Sequence, residues 1–308
     1  MRVVFVDANP TLSSVSERLF AGSGIDLTIN RQPDITPAEF PKVLEGAGIA
    51  IIDHTALPME IARRCPALRH VVFLGTGARS YMDPDALAAE LGITVHTIKG
   101  YGDTAVAETA IALMWACAKS TPMMDREMRD GRWVRTEGVQ LTGKTLGLVG
   151  FGGIAAEVAR IASGSGMRVV AWNRSPKSQA GVSFLPLERV LAESDVLSLH
   201  LLLTDETRGL LDAGRLAAMK PGAILVNTAR GALVDEAAMI AALKSGHLRA
   251  AGLDVFNIEP MPAGHELTTL PNVVLSAHSA FRTPEANDNL IGAALAHCRA
   301  ALRTAVPV

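Results

Sequence analysis

Short aliphatic and β-branched runs alternate with longer Ala-rich stretches along the first third of the chain. "VVFVDA", "GIAIID", "HVVFLG" and "ITVHTI" are separated by segments such as "PMEIARRC" and "PDALAAELG". Apolar runs of that length divided by amphipathic helical patterns predict parallel strands joined by crossover helices. A Gly-rich break, "KGYGDT", ends the series. A long apolar helix, "AVAETAIALMWACAKS", follows, and then a polar arm, "MMDREMRDGRWVRTEG". From Thr145 a second series begins, with six predicted strands: "TLGLVG", "MRVVAW", "SDVLSLHL", "GAILVNTA", "AAGLDV" and "NVVLSA". The tail, "TPEANDNLIGAALAHCRAALRTA", reads as one amphipathic helix. There is no internal repeat and no low-complexity segment.

Composition narrows the class. The 308 residues suffice for one large domain or two of ordinary size. Hydrophobic residues make up 49% and aromatics only 4%, a balance that suits packed parallel strands. The formal charge is −2 and no Lys/Arg run occurs, which argues against nucleic acid or an anionic membrane as partner. Cys65, Cys117 and Cys298 are far apart and in no metal-ligand spacing, so reduced structural thiols are expected and no metal site is. The opening "MRVVFVDANP" has too short an apolar run for a signal peptide, and no run reaches membrane-spanning length. The expectation is a cytoplasmic protein.

"LGLVGFGGIAAEVAR" carries the first chemistry. Gly150, Gly152 and Ala155 form G-x-G-x-x-A directly after a predicted strand and at the start of a predicted helix. Gly150 permits the tight turn, Gly152 admits a pyrophosphate to the backbone, and Ala155 lets helix and strand pack closely. The amides of Gly153 and Ile154 then point at the phosphates from the positive end of the helix. Plain strand–helix packing is the alternative use of such a turn.

Further motifs make a resemblance specific. "LTGKTLGLVGFGGIA", "SDVLSLHLLLTDETRGLL", "MKPGAILVNTARGALVDE", "AAGLDVFNIEP" and "PNVVLSAHSAFRTPEA" together resemble the D-isomer-specific 2-hydroxyacid dehydrogenase family. The likeness covers almost the whole chain and is strongest from Ala107 onward. It implies an α/β protein of two doubly wound parallel-sheet domains. A discontinuous, flavodoxin-like substrate domain (1–98 and 282–308) would embrace a Rossmann cofactor domain (99–281), with the chemistry in the cleft between them. It also implies hydride transfer between NAD(P)H and a small 2-keto acid of the glyoxylate or hydroxypyruvate type, giving a D-2-hydroxy acid. A homodimer is implied as well, since the Met123–Gly138 arm is similar to the segment that embraces a second subunit.

Residue by residue, Arg230 in "NTARG" is similar to the family's substrate arginine, whose planar fork suits a carboxylate. His278 in "LSAHSA" takes the place of the proton donor in reduction, and Glu259 in "NIEP" that of the carboxylate that fixes its tautomer. Asp254, Thr228 and Ala229 match family positions beside the nicotinamide, and Leu201 and Thr207 match positions on the adenosine side. Thr76 and Gly77 in "LGTGA" resemble the loop whose amides receive the substrate carboxylate. His54 either reaches the pocket or sits in a solvent-facing loop. Three departures stand out: Ala277 replaces the proline before the histidine, Leu202 replaces the proline of "LHLPLT", and "GARSYMD" replaces "GVDNID". Glu259 stands where the formate dehydrogenase branch has glutamine, which argues for proton-coupled chemistry.

The second strand of the cofactor motif ends in Asn173, Arg174 and Ser175, where an Asp or Glu usually grips the ribose of NAD. Asn173 removes the charge that would repel a 2′-phosphate, while Arg174 and Ser175 add donors and Lys177 adds a cation. NADP is therefore the expected cofactor and NAD the alternative. A polar turn with Arg174 in solvent is the plainer reading. Two rivals remain: a non-enzymatic, cofactor-sensing binding protein on the same scaffold, and a Rossmann enzyme such as a methyltransferase, which would leave Arg230, Glu259 and His278 without purpose.

Overall fold

The computed structural model describes residues 1–32 and 34–304. The chain divides into two compact units, Met1–Gly102 with the C-terminal stretch from Arg282, and Asp103–Phe281.

The first unit runs β1 (Arg2–Phe5), α1 (Pro10–Phe20), β2 (Leu27–Ile29), α2 (Phe40–Val43), β3 (Ala47–Ile52), α3 (Met59–Ala62), β4 (His70–Phe73), α4 (Pro84–Leu91) and β5 (Thr94–Thr97). The second contains α5 (Asp103–Lys119), α6 (Thr121–Arg129), β6 (Thr145–Val149), α7 (Gly153–Gly164), β7 (Arg168–Trp172), β8 (Val182–Phe184), α8 (Leu187–Glu193), β9 (Val196–Leu199), α9 (Ala213–Ala217), β10 (Ala223–Asn227), α10 (Glu236–Ser245), β11 (Leu248–Leu253) and β12 (Val273–Leu275). The last helix, α11 (Pro284–Thr304), returns to the first unit.

Every strand pairing within the two sheets is parallel. The first sheet has the order β2-β1-β3-β4-β5, the flavodoxin-like sequence with its reversal between β1 and β3. The second has the order β12-β11-β10-β9-β6-β7-β8, a Rossmann arrangement with its reversal between β6 and β9. These are the two doubly wound sheets that the family resemblance implies, built from the parallel strands and crossover helices that the alternating pattern predicts. The central strands β3, β6, β9 and β10 are buried along their whole length, because helices cover both faces.

The strand count differs from the sequence expectation. Each sheet has one strand more than its apolar runs indicate: β2 in the first and β8 in the second. Both are three-residue edge strands, half-exposed and paired on one side only. They bury too little to leave an apolar run in the sequence. The cysteines are all buried and free, and burial pushes the thiols of Cys117 and Cys298 up to about 12. Among the described residues no helix is long and apolar enough to cross a membrane.

A consequence of parallel pairing governs the site. All strands of the second sheet end at one edge, so Gly150, Asn173, His200, Thr228, Asp254 and Ser276, far apart in sequence, gather there.

Candidate active site

Around the reversal point the edge is built from backbone. The Gly150 amide donates to Trp172 O (2.9 Å), that of Phe151 to Asn173 Oδ1 (3.1 Å), and that of His200 to Val149 O (2.8 Å). The turn is thus held from β7 on one side and β9 on the other. Gly150 has φ +90°, and a Cβ there would lie 2.5 Å from His200 O, so no other residue fits. Gly152 caps α7, leaving the Gly153 and Ile154 amides at the start of the helix, and open space lies where a Gly152 Cβ would project. Ala155 is fully buried against the sheet. Burial pushes the His200 imidazole down to about 4; its Nε2 meets Ser198 Oγ at 2.9 Å.

Asn173 does more than lack a charge. Besides accepting from Phe151, its carboxamide donates to Ser175 O (2.8 Å) and Ser175 Oγ (3.1 Å), which folds the strand end into a fixed turn. Arg174 points outward and meets Glu206. Leu201 packs on the core beneath Gly150, while Leu202, standing in the proline position, is exposed. The Thr207 hydroxyl, expected toward the adenosine, is spent on its own turn: it donates to Leu202 O (2.7 Å) and accepts from the Thr204 amide (2.8 Å).

From β10 to β12 the edge is built from side chains. His278 Nδ1 lies 2.6 Å from Glu259 Oε2, and Glu259 Oε1 accepts from the Phe256 amide at 2.8 Å. Burial would raise the Glu259 carboxyl, but the hydrogen bonds from His278 and Phe256 and the charges of His278 and Arg230 outweigh it. The carboxyl is held below its ordinary value. Arg230 is exposed and leans on Ala229 O (2.6 Å). The structure therefore brings Arg230, Glu259 and His278 together at one place.

The residues that position this trio were less visible in the sequence. Asn227, buried at the end of β10, accepts from the Ala229 amide (3.0 Å) and donates to Arg230 O (2.9 Å), shaping the loop that presents the guanidinium. Gly231 lets that loop abut the next one: a Cβ there would fall 2.2 Å from Phe256 C. Asp254 is fully buried, and its carboxylate accepts from Ser276 Oγ (2.5 Å) and the amides of Ser279 and Ala280 (both 3.0 Å), so it grips the loop under His278. His278 itself donates its amide to Asp254 O (2.8 Å) and has φ +47°, a strained value for a residue with a Cβ. Buried polar residues at strand ends were the sequence signal for Asn227 and Asp254.

Thr76 and Gly77 lie in the first unit, after β4, and are exposed; among the described residues neither amide donates a hydrogen bond. In the same unit the fully buried Asp7 accepts from the amides of Asp53, His54 and Thr55, fixing the loop that carries His54.

A nicotinamide dinucleotide fits the residues at the second unit's edge. The open space at Gly152 and the buried Thr228 hydroxyl, which has no hydrogen-bond partner among the described residues, are features that a ligand explains and internal packing does not. Comparison with known proteins agrees. Residues 111–280 match the family described as D-isomer specific 2-hydroxyacid dehydrogenase, NAD binding domain. The chain is 41% identical to a glyoxylate reductase of Aeropyrum pernix over 73% of its own length and 71% of the relative's. It is also 41% identical to a hydroxypyruvate reductase of Thermotoga maritima, over 65% and 67% respectively. Among solved structures, an acyclic imino acid reductase in complex with NADPH and D-Arg superposes with a TM-score of 0.87 at 28% identity, covering 99% of this chain and 98% of that one. With a dinucleotide turn and an Arg-Glu-His cluster on one sheet edge, and relatives of this kind, the chain belongs to the D-isomer specific 2-hydroxyacid dehydrogenases, enzymes that pass hydride between a nicotinamide cofactor and a 2-hydroxy or 2-keto acid.

Proposed function

We propose that the protein is an NADPH-preferring reductase of small 2-keto acids, glyoxylate or hydroxypyruvate, producing the D-2-hydroxy acid. The observation that carries the chemistry is the 2.6 Å contact of His278 Nδ1 with Glu259. It occupies one ring nitrogen and leaves Nε2 to deliver a proton to the carbonyl oxygen. When bound, the cofactor supplies the hydride to the carbonyl carbon. Arg230 holds the substrate carboxylate and polarises the adjacent carbonyl, and in the first unit the exposed amides of Thr76 and Gly77 are candidates for binding a carboxylate. Glu259, kept ionised, stabilises the imidazolium before the proton leaves it. In the oxidative direction His278 takes the proton back.

For the cofactor, Gly150, Gly152, Gly153 and Ile154 hold the pyrophosphate, Thr228 and Ala229 flank the nicotinamide, and Leu201 floors the adenosine side. Arg174 and Ser175 receive the 2′-phosphate, and the uncharged Asn173 holds the turn that presents them. Support comes from the absence of an acid at position 173 and the exposure of Arg174. The names of the two reductase relatives support the substrates, and that of the NADPH-bound structure supports the cofactor. We also infer a cytoplasmic homodimer, with the Met123–Gly138 arm as the contact; Met128, Trp133 and Val134 are large apolar residues exposed there.

Steady-state kinetics with glyoxylate and hydroxypyruvate, using each cofactor, test the reading. The expected result is turnover with a kcat/KM at least about ten-fold higher for NADPH, a preference that Arg174→Ala abolishes by raising the NADPH KM selectively. Equal or better use of NADH by the parent removes the cofactor assignment, and no turnover with either acid removes the substrate assignment.

A further inference from the structure

Arg174 is already claimed in the folded chain. Its Nη1 stands 3.2 Å from Glu206 Oε2, with side-chain exposures of 83% and 75%. The two residues follow β7 and β9, and β6 lies between those strands. The pair thus arches past the Gly150 turn, at the edge where this fold holds the adenosine half of a dinucleotide. Glu206 is delivered from a fixed turn: besides the bonds of the Thr207 hydroxyl, the amides of Thr207 and Arg208 both donate to Thr204 O (3.2 and 2.9 Å).

We propose that Glu206 is a specificity-determining residue, a resident carboxylate that competes with the 2′-phosphate of the cofactor for Arg174. The proposal rests on the reading of Arg174 as the phosphate ligand and deepens it. Two effects of Glu206 oppose each other. Pairing pre-orients the guanidinium, but one contact between two side chains this exposed contributes little. Against it, a phosphate monoester carries close to two negative charges, and docking on the same cation brings it beside a third. Repulsion is the larger effect. A ribose with a free 2′-hydroxyl carries no charge to be repelled. Glu206 therefore tempers the preference for the phosphorylated cofactor, and removing its charge sharpens that preference.

Calorimetric titration with adenosine 2′,5′-bisphosphate and with 5′-AMP tests this without turnover. The readout is the ratio of the two dissociation constants in the parent, Glu206→Gln, Glu206→Asp and Arg174→Ala. Glu206→Gln is expected to shift the ratio toward the bisphosphate by about five- to ten-fold, with the gain shrinking at about 0.5 M salt. Glu206→Asp keeps the charge and follows the parent within about two-fold. Arg174→Ala shifts the ratio the other way by about ten-fold or more. An unchanged or reversed ratio in Glu206→Gln, with Arg174→Ala still selective, overturns the role of Glu206 alone. An Arg174→Ala protein that loses both ligands equally overturns the reading beneath it as well.

Discussion

The second sheet ends in one continuous edge, yet its two stretches are made differently. Around β6, β7 and β9 the groups that face a ligand are peptide amides, and the side chains that matter are small or turned inward: Gly150, Gly152, Ala155 and the fully engaged Asn173. From β10 to β12 the groups are side chains: Arg230 and His278, each on a loop that a buried polar residue grips, and Glu259, whose carboxylate accepts from the Phe256 amide and meets His278. A dinucleotide pyrophosphate needs several aligned donors in a fixed curve, which backbone supplies at no side-chain entropy cost. Proton transfer needs one group that changes charge, which backbone does not provide. The first stretch tolerates no added bulk at Gly150; the second tolerates no change in three residues and their supports.

Substituting the proton carrier separates the stretches most sharply. His278→Gln should lower kcat by about 10²–10⁴-fold and leave binding of the cofactor's adenosine half unaltered. A loss under ten-fold, measured with saturating substrates, would place the proton donor elsewhere.

Next in size is the support under the loop. Asp254→Ala orphans the Ser276 hydroxyl and two amides, and should cost about 3 kcal/mol of unfolding free energy together with most of the turnover. Denaturant titration reads the first and kinetics the second. Asp254→Asn keeps one acceptor oxygen and should recover part of both; a stability equal to that of the parent in both variants contradicts the gripping role.

Acid gives the smallest contrast. The His200 imidazole, ordinarily near 6.5 when unfolded, is pushed down to about 4 in the fold. The unfolded chain therefore binds the extra proton between those values, and stability is lost as pH falls across that window, by about 2 kcal/mol at pH 5. Glu259 runs the other way: its lowered carboxyl keeps its contribution above about 4.5 and loses it only in stronger acid. Between pH 6.5 and 4.5 the amide-built stretch weakens while this carboxylate is intact. Comparing unfolding at pH 7 and pH 5 for the parent and His200→Gln checks it; an identical acid loss in both would show that His200 contributes nothing.

How much of this was readable in the chain follows from the same contrast. The glycine turn and the Arg230, Glu259 and His278 set were legible, because each depends on residue type at a fixed place after an apolar run. The edge strands β2 and β8 were not, since three half-exposed residues leave no periodic signal. The loop-gripping work of Asp254 and of Asn227 was not legible either. An acid or amide at a strand end looks the same in sequence whether it faces a ligand or binds the neighbouring loop. The Arg174–Glu206 pair joins residues 32 positions apart from loops after non-adjacent strands, and no local pattern announces it.

The left-handed backbone at position 278 has an evolutionary corollary. Asparagine is among the residues that occupy such torsions most comfortably. A drift from histidine to asparagine there would keep the backbone unstrained while removing the proton carrier and the partner of Glu259. The torsion that presents the catalytic imidazole is thus the one that leaves its loss least costly for the backbone.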